Sequence, residues 1–81
     1  MPTVLRIGPY RLFFYSADGD EPPHIHVQRE NLSAKFWLDP VRLERSVSFA
    51  PSELRRVEKM VQEKQENQVQ LLESWNEHFG N

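Results

Sequence analysis

A chain of 81 residues with a formal net charge of −2 has room for one core and shows no global excess of positive charge. The absence of cysteine excludes disulfides, thiolate nucleophiles and cysteine-bound zinc, and the charge balance argues against sequence-blind nucleic-acid binding over the whole surface. Two Trp, two Tyr and five Phe among mixed charges predict a folded chain. So short a chain buries proportionally little apolar surface, so a protein partner or self-association is expected.

The chain opens Met-Pro-Thr, with Arg6 and Arg11 interrupting the first apolar run. That pattern fits neither a signal peptide nor a membrane span, so a cytoplasmic location and no membrane partner are expected. Composition changes near Ala50, from β-branched and aromatic residues to a Glu/Gln/Lys/Leu-rich tail. The reading is one domain over 1–81, with a sheet part over 1–49 and a helical part over 50–79.

The stretch "TVLRIGPYRLFFYS" reads as a β-hairpin turning at Gly8-Pro9, where glycine supplies a positive φ and proline fixes its own near −65°. A two-residue turn sets Ile7 opposite Tyr10 and Leu5 opposite Leu12. It also sets Arg6 opposite Arg11, a like-charge pair that disfavours the hairpin unless an anion or carboxylate lies between them. Leu12 to Tyr15 is apolar on both faces, which predicts a central strand covered on each side, by the helix and by a partner chain.

After the turn-rich "SADGDEPP", a strand is expected from His24, paired through a Glu30-Asn31 turn with "LSAKFWL". Alternation then places Ile25 and Val27 against Phe36 and Ala34 on the buried side. His24 and His26 fall on the other side, against Trp37 and Lys35. A turn at Asp39-Pro40 and a short edge strand through Val41 and Leu43 complete an antiparallel meander of four to five strands.

Pro51, with Glu53 in the first turn, predicts a helix start. Leu54, Val57, Val61, Leu71 or Leu72, Trp75 and Phe79 recur at spacings of three and four and make its apolar face. A single helix from Pro51 to Phe79 would be about 42 Å long. It is therefore expected either to break near Asn67, a competent N-cap, or to pack its far end on another protomer, with Gly80 as its C-cap. The fold class is α+β, a sheet packed on one side by a C-terminal helical segment.

"EPPHIHV" is the stretch with most chemical content. Two histidines on one strand face are a geometry shared by many His-x-His metal pairs, but a catalytic zinc takes about three protein ligands. The nearest further donors are Asp18, Asp20 and Glu21. His24, His26 and Asp20 are thus the candidate ligands of a divalent metal, although no cofactor is the leading expectation. Without metal, His24 and His26 could serve as acid and base beside a cation, Lys35, Arg11 or Arg29, to cleave RNA at its ribose 2′-hydroxyl. Trp37 and Lys35, with Tyr15 near them, suit base stacking or a protein-binding hot spot. The bland alternative makes the histidines ordinary strand residues beside Trp37, and Trp75 and Phe79 core or dimer anchors. The arginines at 42, 45, 55 and 56 cluster at the strand-to-helix junction, as a solvated surface or a site for an acidic partner or phosphates.

The segments "MPTVLRIGPYRLFFYS", "EPPHIHV", "AKFWLDPVRL" and the helical "LLESW" resemble an uncharacterised bacterial family, domain of unknown function 4160, over nearly the whole chain. Members are small and often encoded beside another small uncharacterised protein. The resemblance implies a component of a toxin–antitoxin-like pair and draws attention to His24 and His26 of the P-H-x-H signature and to Trp75. Ala50 departs from it, since relatives often carry there a hydroxyl residue able to cap the helix. The leading expectation is a partner-binding component of a two-protein module. The alternatives are a ribonuclease using His24 and His26, or a metal-binding protein.

Overall fold

The computed structural model describes residues 3–15, 19–38, 40–68 and 70–79. Five strands form one antiparallel sheet in sequential order: β1 (Thr3–Ile7), β2 (Tyr10–Phe13), β3 (His24–Arg29), β4 (Leu32–Leu38) and β5 (Val41–Val47). Two helices follow, α1 (Pro51–Gln68) and α2 (Gln70–Phe79). The architecture is the α+β meander with a C-terminal helical layer.

Turn chemistry and alternation set the registers. Gly8 takes φ 54° and closes the first hairpin, so that Ile7 pairs with Tyr10, Arg6 with Arg11 and Leu5 with Leu12. At the second hairpin Glu30 adopts φ 54°, a conformation unfavourable for a residue with a Cβ. Ile25 pairs with Phe36, Val27 with Ala34, His24 with Trp37 and His26 with Lys35. A one-residue slip would have moved the whole apolar set to the opposite face.

The last strand is longer than the short edge strand expected through Val41 and Leu43. It runs to Val47, with an irregularity between Lys35 and Phe36 that leaves Glu44 outside the paired positions. Its outer residues Glu44 to Val47 are exposed. That lack of apolar alternation concealed the strand in the sequence.

Leu12, Ile25, Val27, Ala34, Phe36 and Leu38 join Val57, Val61 and Leu71 in one core. The first helical hydrogen bond runs from the Leu54 N–H to the Ala50 carbonyl at 2.9 Å, so Ala50 occupies the cap position and Pro51 the first helical one. With no side-chain cap at Ala50, Glu53 does different work: it ties α1 to the sheet. Arg29 Nε and Nη2 each donate to its carboxylate at 2.8 Å, and the Tyr10 hydroxyl donates to it at 2.7 Å.

The described helical residues are those of α1 and α2, and position 69 between them lies outside the described residues. A straight helix of about 42 Å would overrun a molecule whose longest extent is 34 Å. Instead α2 returns to the sheet, with Leu71 and Trp75 buried and Phe79 packed beside them. Four expected features lie outside the described residues: the turn residue Asp39, the Asn67 side chain, the Gly80 cap, and the candidate ligand Asp18.

Candidate functional site on the open face of the sheet

The registers sort the strand side chains onto two faces. One face carries Leu12, Ile25, Val27 and Phe36 and is covered by the helices. The other carries Arg6 and Arg11 with Gln28 and Ser33, then Phe13, His26, Lys35 and Arg45, then His24, Trp37 and Arg42. A groove of about 350 Å³ opens on this second face, walled by Phe13, Tyr15, His26, Gln28, Ser33, Lys35, Arg45 and Val47. Its volume is at the lower end of small-molecule clefts, roughly 300–1,000 Å³. Tyr15 and Val47, 47% and 55% exposed, are the exposed large apolar residues described, and both line it.

The two histidines have different surroundings. His24 lies, as expected, opposite Trp37 on the face away from Ile25 and Val27, and it is 0% exposed there. Its ring lies 4.9 Å from that of Trp75, 5.7 Å from that of Trp37 and 5.1 Å from that of His26. Trp75 also meets Phe14 at 5.5 Å, so α2 joins the apolar core to the start of β3. The approach through Pro22 and Pro23 fixes His24 further: its Nδ1 lies 2.9 Å from the Pro22 carbonyl oxygen, and the Leu38 N–H donates to the Pro23 carbonyl at 3.0 Å. His26 is half-buried and opens into the groove, stacked on Phe13 at 5.4 Å with Tyr15 edge-on at 4.8 Å.

Lys35 donates to Glu21 Oε1 at 2.5 Å, and its ammonium lies 4.9 Å from the Trp37 ring centroid. Glu21 is also 3.9 Å from His24 Nδ1, so this loop carboxylate neutralises part of the face. Arg11 lies over the Phe13 ring at 4.3 Å and donates to Gln28 Oε1 at 3.0 Å. Of the residues singled out in the sequence, His26, Lys35 and Tyr15 converge on the groove, with Arg11 and Trp37 on the same face. His24 is sealed behind them. Arg29 is on the opposite face, engaged by Glu53. Asp20 is exposed in the loop, and among the described residues no three His, Asp or Glu side chains converge as metal ligands.

Arg45, Ser33 and Val47 also line the groove, with no site signal of their own in strand alternation. For Arg45 a partial signal existed in the arginine cluster at the strand-to-helix junction. Placing it opposite Lys35 needed the irregularity of β5.

The ionisable cluster with a clear electrostatic signature lies on the helix side. Hydrogen bonds from Arg29 and Tyr10, with the positive charges of Arg29 and Arg56, hold the Glu53 carboxyl below its ordinary range. Burial and the Glu53 hydrogen bond push the Tyr10 hydroxyl up. This cluster fastens α1 and takes no part in the groove.

The profile of the family described as Domain of unknown function (DUF4160) matches residues 10–76, and the chain belongs to that family. The match spans β2 to most of α2, including the whole groove. No curated protein and no solved structure matches the chain. No helix among the described residues is long and apolar enough to cross a membrane.

Proposed function

We propose that this member of the family is a non-catalytic binding component of a toxin–antitoxin-like pair, and that it works through the open face of its sheet. One observation carries the reading: the helices cover one face, while the other holds a groove with Tyr15 and Val47 exposed at its walls. Exposed apolar side chains around a polar groove are the composition of a contact surface. The occupant is the protein encoded by the neighbouring gene, as the family resemblance implies.

Binding is favoured over RNA cleavage by the separation of the histidines. Acid–base cleavage with both rings needs both within reach of the ribose and the leaving oxygen. Only His26 opens to the groove, with His24 sealed behind Trp75 and Trp37.

The test is co-expression with the neighbouring protein, followed by size-exclusion chromatography and calorimetric titration. A stoichiometric complex that weakens about 10-fold or more on Tyr15→Ala or Val47→Ser supports the reading, a range ordinary for hot-spot residues. No complex, or one indifferent to both substitutions, overturns it.

A further inference from the structure

The open face is built as a cationic surface inside an acidic chain. Its paired strand positions contain Arg6, Arg11, Lys35, Arg42 and Arg45, half of the ten Lys and Arg, and not one of the twelve Asp and Glu. Two like-charge pairs stand directly opposite one another across strands, Arg6 with Arg11 and Lys35 with Arg45. Such pairs are unfavourable to a sheet, so stability does not account for them. Lys35 is buried and held by Glu21, and Glu44 lies 3.6 Å from Arg45, so the exposed cations of the face are Arg6, Arg42 and Arg45.

Resting on the reading that this face is the binding surface, we infer that it also takes single-stranded RNA. The exposed arginines Arg6, Arg42 and Arg45 meet phosphates, and Tyr15 and His26 offer rings at the groove. Rings interleaved with cations distinguish a nucleic-acid surface from one for an acidic polypeptide, because each base has a π-face to stack. A single strand presents unstacked bases to a sheet, as a duplex does not, and Asn31 and Ser33 at the groove supply partners for a ribose 2′-hydroxyl. RNA and the partner protein then compete for one surface.

The experiment is fluorescence anisotropy with a labelled 12-nucleotide mixed-sequence RNA, titrated with the full chain across salt concentrations. Three phosphate contacts predict a slope of log K against log salt of about −2. Arg6→Gln, Arg42→Gln and Arg45→Gln should each reduce that slope by about 0.7. Arg6→Gln and Arg45→Gln should melt no lower than the parent, because each relieves a like-charge pair; a purely structural role would not give that combination. Tyr15→Ala should weaken binding by about 5- to 100-fold, and Arg55→Gln or Lys59→Gln on α1 should leave it unchanged. The inference is overturned by absence of binding at low salt, by equal losses in the α1 variants, by equal affinity for the matching DNA, or by displacement of the RNA by poly-glutamate at matched charge. If the neighbouring protein still needs Tyr15 and Val47 while RNA does not bind, only this inference falls. If neither ligand depends on the face, the reading beneath it falls too.

Discussion

His24 and His26 stand two residues apart on one face of β3, their ring centroids 5.1 Å apart, yet one is sealed and the other opens into a groove. The difference is made by Trp75, which lies 4.9 Å from His24 and about fifty residues away in the chain. A motif that reads as a pair of equivalent imidazoles is therefore one structural residue and one surface residue.

The pair separates on substitution. His24→Ala removes a fully buried ring and should cost on the order of 2–4 kcal/mol of unfolding free energy, by analogy with other large-to-small core changes. His26→Ala should cost about 1 kcal/mol or less, since its site is open on one side. Urea unfolding followed by tryptophan fluorescence measures both. Equal costs would place the rings in equivalent environments.

Packing of α2 supplies a second expectation. A Cβ at Gly19 would meet Phe79 Cδ1 at 2.8 Å, closer than the Phe79 ring tolerates without moving. Gly19→Ala should therefore destabilise by about 1–3 kcal/mol. Adding Phe79→Leu should recover part of that loss, a non-additivity diagnostic of direct contact. Simple additivity in a double-mutant cycle would show that the two positions do not meet.

The registers were legible because alternation constrains them. Ile25 and Val27 could be buried only if His24 and His26 took the other face, and Gly8-Pro9 admitted one short hairpin. What alternation left undecided was who covers each face. The sealing of His24 depends on Trp75, and Arg29, a candidate cation beside the histidines, has the strand parity of Ile25 and Val27, where Glu53 engages it. Local pattern carries no information about such long-range partners. The Lys35–Arg45 pair was hidden for a related reason: Glu44 falls outside the paired positions and shifts the parity of everything after it in β5.

Titration of the Glu53 cluster gives the fold a pH dependence with two limbs. Glu53 is held below its ordinary value of 4.5, chiefly by hydrogen bonding from Arg29, so the folded state binds that proton less tightly than the unfolded chain. Its contribution is present above that ordinary value and is lost as pH falls through the lowered one. Tyr10 is raised above 10.0, so its contribution is present below that value and is lost as pH climbs through the raised one. In Glu53→Gln both limbs should shrink when unfolding free energy is followed from acid to alkaline pH. An unchanged profile would mean that the cluster does not set it.

Glu30 sustains φ 54° at the turn between β3 and β4. Glycine adopts that conformation without a Cβ penalty. Its greater freedom in the unfolded chain offsets part of the gain. Glu30→Gly should nonetheless stabilise by about 0.5–1 kcal/mol, also removing a carboxylate 3.8 Å from Arg29. A loss of stability in thermal melts would show that this ion pair outweighs the backbone strain.

The proposed binding surface is tested most directly by side-chain NMR during titration with the proposed partner, the protein encoded by the neighbouring gene. The methyl signals of Val47 and the ring signals of Tyr15, His26 and Trp37 report on the open face, while the side chains of Arg55 and Lys59 report on exposed positions of α1. Selective shifts of the first group are the expected result. Shifts confined to the α1 group, with the groove signals unmoved, would contradict the assignment of function to the sheet.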